Sequence, residues 1–169
     1  MYAKVIEQLI KTLTNLDGIL VKATGYAEMR GFPVDHFMTA RLAPDMLPFW
    51  RQVTIACDVA KGIGAGLIGQ DPPKFEDHEQ TFAELRQRIA KTVAYLQGLP
   101  RARLDAVTAE QSVRIAYPPG KAMHAQDAIW SRAVPNFFFH VTTAYGLLRS
   151  GGVPIGKSDY LGELHVFDA

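Results

Sequence analysis

Cysteine is almost missing from this chain: Cys57 is the only one in 169 residues. No intramolecular disulfide can form, and the chain suits a reducing compartment, with the cytoplasm as the natural expectation. An excess of one charge is missing too. Lys and Arg number 18 against 17 Asp and Glu, with no block of like sign. That removes the electrostatic footprint of a nucleic-acid or anionic-membrane binder and leaves neutral small molecules or protein partners. No stretch approaches 18 uninterrupted apolar residues, and charges break the opening run Met1 to Gln8 too early for a signal-peptide core, so neither membrane insertion nor export is expected. Also absent are His-x-x-x-His, Glu-x-x-His and Cys-x-x-Cys spacings, which leaves a closed structural metal site unsupported. No Gly-x-Ser-x-Gly elbow points to nucleophilic hydrolysis.

What is present is a chain with 48% hydrophobic residues and no repeat, low-complexity segment or linker, which reads as one domain over 1–169. Tyr2, Val5, Leu9, Leu13, Leu16, Leu20 and Ala27 recur at three- and four-residue steps, predicting a long amphipathic helix from residue 2 to about 28. Gly31, Pro33 and Pro44 punctuate a connection with one short helical turn around His36 to Ala40, and Asp45 offers an N-cap for a second helix over Leu47 to about Gly69. Thr81-Phe82-Ala83-Glu84 has the capping-box pattern. The helix it opens carries a stripe of Phe82, Leu85, Ile89, Val93 and Leu96, with Arg86, Arg88 and Lys91 outside it, and ends at Gly98. Ser112 to Tyr117 alternates before Pro119-Gly120, a hairpin signature, and a last long helix runs from near Pro135 to Ser150. The tail from Ile155 to Ala169 is short and mixed. The fold class that follows is all-α, a four-helix bundle with a small β-hairpin excursion before the last helix.

Two glycine motifs look like nucleotide sites and fail on context. Gly151 to Ser158 matches G-x-x-x-x-G-K-[ST], but a helix precedes it where a strand is required and too little chain follows. Gly64 to Gly69 matches the dinucleotide fingerprint yet closes a helix instead of opening one. Glycines at 62, 64, 66 and 69 point instead to close approach of a neighbouring helix or a ligand. Asn136 and His140 are four apart, so both side chains share one face, where an amide oxygen and an imidazole can meet a metal or substrate or be satisfied inside the core.

Four phrases carry a resemblance: Ala40 to Met46, Gln52 to Asp58, Thr81 to Leu85 with Arg88 to Thr92, and Pro135 to Tyr145. Together they resemble an uncharacterised bacterial family, a domain of unknown function grouped with DinB-like proteins. The resemblance spans Met1 to about Gly162. It implies a helical bundle, often homodimeric, in which a divalent metal is held by one histidine of the second helix and two spaced by four on the last. Laid on this chain, the pair falls on Asn136 and His140, and the second-helix ligand falls near Cys57 or Asp58. Asp58, Asn136 and His140 are therefore the implied metal set for one divalent ion (Ni, Zn, Fe or Mn), with one imidazole where the family has three.

Two functions remain open at this level. The first is a metal-free or weakly metal-binding homodimer with a small-molecule pocket near His140. The second is a metal-dependent transferase or hydrolase acting on a small substrate, a thiol among the options. If Asp58 faces Asn136 and His140 across the bundle the enzyme gains; if it faces solvent the enzyme fails.

Overall fold

A computed structural model describes residues 1–167, so the last two residues of the tail expected over Ile155 to Ala169 lie outside the described residues. Among the described residues there are seven α-helices: α1 (Tyr2–Arg30), α2 (Phe49–Leu67), α3 (Phe82–Gln97), α4 (Arg101–Asp105), α5 (Ala125–Asp127), α6 (Val134–Ser150) and α7 (Lys157–Leu161). One antiparallel hairpin joins β1 (Ser112–Ile115) to β2 (Lys121–His124). A 3-10 turn covers Val34–Thr39 and a π-helical turn covers Ala128–Ala133. The chain is thus mostly helical with one small hairpin before its last long helix, as the sequence implies. The short helices α4 and α7 and the π turn carry too few residues to show a period, and none was expected.

The stripe of α1 is buried along its whole length, from Tyr2 to Ala27. Its end is set by Gly31 at φ 74°, a left-handed conformation that costs glycine nothing. The Gly31 amide donates to the Glu28 carbonyl and the Phe32 amide to that of Ala27, which closes the last turn. The start of α2 differs from expectation. Asp45 caps nothing; Pro48 holds the N-cap position without a side-chain bond, and the Phe49 amide donates instead to the Ala40 carbonyl at 2.9 Å. The capping box of α3 forms as written, with the Glu84 amide on Thr81 Oγ1 at 3.2 Å and the Thr81 amide on Glu84 Oε2 at 3.0 Å. Asp35 of the 3-10 turn accepts the Phe82 amide at 2.8 Å and so ties that turn to the same helix end.

Helix α2 packs between α3 and α6, and α1 packs on α3. Along the α1–α6 seam sits α7, where Asn15 donates to the Tyr160 carbonyl at 3.0 Å and the Tyr160 and Thr142 hydroxyls meet at 2.9 Å. Two helical glycines allow close contacts of α2. A Cβ at Gly64 would lie 2.8 Å from Leu96 and Leu99, and one at Gly66 would lie 2.8 Å from Val113 of β1. Gly62 is different, since a Cβ there meets nothing within 4 Å.

The three positions separate propensity from packing. Gly62→Ala should raise stability by about 0.5–1 kcal/mol, because it adds a helix former into open space. Gly64→Val should lower it by about 1–3 kcal/mol by overpacking. Urea denaturation midpoints of the two variants check both signs.

Candidate functional site

Beside the Gly62 and Gly66 face of α2 lies a cleft of about 410 Å³, closed by β1, the Gln70–Pro72 loop and the π turn leading into α6. Asp58 and Asn136 line it together. His140 does not; it lies one helical turn beyond Asn136, facing Gln52. Because Asn136 shares the cleft with Asp58 while His140 meets Gln52, α2 and α6 run antiparallel.

The Asp58 carboxylate is already spoken for by cations. Oδ1 accepts from Arg88 Nη2 and from Lys61 Nζ, each at 2.9 Å, and the side chain is 38% exposed. Arg88 is the hub of a wider network and its side chain is only 2% exposed. It also reaches Asp77 at 3.1 Å, Glu79 at 2.9 Å and the Glu76 carbonyl at 3.0 Å. Arg51 pairs with Asp77, and Lys61 and Arg88 both lie on the Phe75 ring, at 4.3 and 5.2 Å from its centroid. Three cations, Arg51, Lys61 and Arg88, thus face three carboxylates, Asp58, Asp77 and Glu79. Burial opposes the charge on Arg88, but Asp58 and Glu79 outweigh it and hold the guanidinium above its usual pKa. At Asp77 burial alone would raise the carboxyl; the hydrogen bond and charge of Arg51, with Arg88, override it and hold the pKa below 3.8. The placement of Arg88 outside the apolar stripe is therefore corrected: it sits three residues after Leu85 and four before Thr92, on the buried face.

His140 is buried, and its Nδ1 lies 2.7 Å from Gln52 Oε1. The Gln52 amide nitrogen donates to the Leu47 carbonyl at 2.8 Å, which fixes the amide orientation. Nδ1 must then carry the proton, leaving Nε2 with the lone pair. Burial, followed by the charge of Arg51, depresses the pKa of the ring below 6.5. Cys57, fully buried, has its thiol pushed up to about 12 by desolvation, so it is protonated and not a nucleophile at neutral pH.

The implied metal set is only partly brought together. Asp58 is bound to two cations, Asn136 shares its cleft, and His140 keeps Nδ1 on Gln52. Among the described residues no group of three His, Cys, Asp or Glu side chains is placed to hold a metal ion. To bind a divalent ion, Asp58 would have to share its carboxylate with Arg88 and Lys61, and His140 would have only Nε2 to offer. The two rejected motifs behave as read: Gly64–Gly69 closes α2, and Lys157 opens a helix of five residues after α6. Sequence reasoning passed over Gln52, Arg88 and Arg132. Arg132, Asn136 and His140 do share a four-residue spacing, the one signal that sets all three on a common face.

The family model of a domain of unknown function, DUF1993, matches residues 1–161. The chain belongs to the DUF1993 family. A solved structure of a DinB family member from Shewanella denitrificans is 42% identical to the DUF1993 chain, covers 97% of it and 93% of its own length, and superposes with a TM-score of 0.89. No curated protein matches. The family resemblance carried by the four sequence phrases is thus correct, and the DUF1993 chain shares its helical fold with a DinB-like neighbour.

Two measurements test this site. Arg88→Met leaves Glu79, whose side chain is 9% exposed, without a cation and Asp58 and Asp77 with one each, Lys61 and Arg51, and should cost about 3 kcal/mol at pH 7, read from urea unfolding. Since Asp77 is held below 3.8, its contribution is full above that pH and fades as pH falls through the lower folded value, so the gap between wild type and variant should narrow in acid. Nitrogen NMR at pH 7 should show His140 neutral with Nδ1 protonated, and its titration midpoint should fall below 6.5. Because the folded state favours the neutral ring, its contribution is whole above 6.5 and fades as pH drops below it.

Proposed function

We propose that this DUF1993 chain is a small-molecule-binding helical bundle, metal-free or weakly metal-binding, whose ligand occupies the cleft over Asp58 and Asn136, one turn of α6 from His140. The observation that carries the reading is the cleft itself. Its volume of about 410 Å³ suits a small organic molecule, and its wall mixes apolar side chains with a few polar groups from separate elements. The glycine face of α2 keeps it open, since Gly62 has no atom in the space a side chain would take. A homodimer is part of the same reading, supported by the exposed Trp130 and Phe139, 49% and 54% accessible. The lone pair on His140 Nε2 supports the second reading, a metal-dependent transferase or hydrolase.

Ligand-observed NMR of a fragment set on the wild type and on Gly62→Phe tests the proposal. Fragments that bind the wild type and are lost in the variant, whose ring fills the cleft, support it; binding unchanged by the ring overturns it. Elemental mass spectrometry of untagged protein should find metal well below one ion per chain. One ion per chain that disappears in His140→Ala would favour the metal-dependent reading instead.

A further inference from the structure

The cleft has one charge that nothing in it balances. Four charged residues line it: Asp58, Asp71, Arg114 and Arg132. Asp58 is neutralised from behind by Arg88 and Lys61. Asp71 and Arg114 face each other at 3.6 Å on the exposed rim. Arg132 is left. It is half-buried in the π turn and takes part in no ion pair or side-chain hydrogen bond among the described residues. A partly desolvated guanidinium without a counter-charge is unfavourable alone and attracts an anion more strongly than one in bulk water.

We infer that the ligand of this cleft is an organic acid, with its carboxylate on Arg132 and an apolar body along α2; the inference rests on the cleft reading above. Asn136, four residues on from Arg132 and on the same face, supplies an amide donor for the second carboxylate oxygen. Val59, Ile63 and Ile115 also line the cleft and receive the apolar part, while Gly62 lets it approach the α2 backbone. One guanidinium and one amide match a monocarboxylate, whose two oxygens they satisfy, in a cleft otherwise lined mainly by apolar atoms.

Calorimetric titration with 3-phenylpropanoate and with its uncharged amide, 3-phenylpropanamide, tests the assignment. The acid should bind the wild type about 10-fold or more tighter than the amide. Arg132→Gln should erase that preference by weakening the acid far more than the amide, and Arg114→Gln on the rim should keep it. Equal binding of acid and amide to the wild type, or a preference that survives Arg132→Gln, overturns the inference while the cleft reading stands. Binding of neither probe, with fragments still lost in Gly62→Phe, also overturns this inference alone. Fragment binding indifferent to Gly62→Phe overturns the cleft reading itself. Circular dichroism of both arginine variants separates loss of preference from loss of fold.

Discussion

A guanidinium cannot be left bare in a protein interior, and the half of the structure that frames the cleft is arranged around that constraint. Arg88 is almost wholly enclosed, so its charge has to be met where it stands, and the loop between α2 and α3 is what meets it. Asp77 and Glu79 are brought inward from a stretch that sequence alone reads as polar loop, and Phe75 folds over Arg88 and Lys61. The residues just before this stretch, Gln70 to Pro72, run along the edge of the cleft. The ion network thus borders the cleft without lining most of it. Asp58 belongs to both, one carboxylate oxygen turned to the cations and its side chain reaching the cleft wall.

How legible this was depends on the range of each interaction. The stripe of α1, the Thr81–Glu84 capping box and the Ser112 hairpin are local patterns of a few residues, and each appears in the structure where its period or spacing places it. Asp45 misled because a good capping residue near a helix start competes with backbone partners; the Ala40 carbonyl, delivered by the folded connection, took the Phe49 amide. Arg88 was misread because a charged residue on an apolar face looks like an interruption, and its three carboxylates come from elsewhere in the chain. The His140 partner, Gln52, is likewise distant in sequence, and no spacing rule links the two.

The glycines of α2 show a single residue type doing two jobs. At Gly64 and Gly66 a side chain would have to push Leu96, Leu99 or Val113 aside. Gly62, one turn from Gly66 on the cleft side, has empty space in front of it. Sequence offered a neighbouring helix or a ligand as alternatives for the whole run; the structure divides the run between tight packing and an opening.

The seating of α7 between α1 and α6 has a consequence for how the chain folds. Helix α1 carries Leu9, Leu13, Leu16 and Leu20 along one side, and its main partners are α3 and the sequence-distant α7. The part of that side next to α6 is closed only by long-range contacts, Asn15 with Tyr160 and Lys22 with Asp159. Contacts so far apart in sequence slow folding and lengthen the interval in which the apolar side of α1 is open to aggregation.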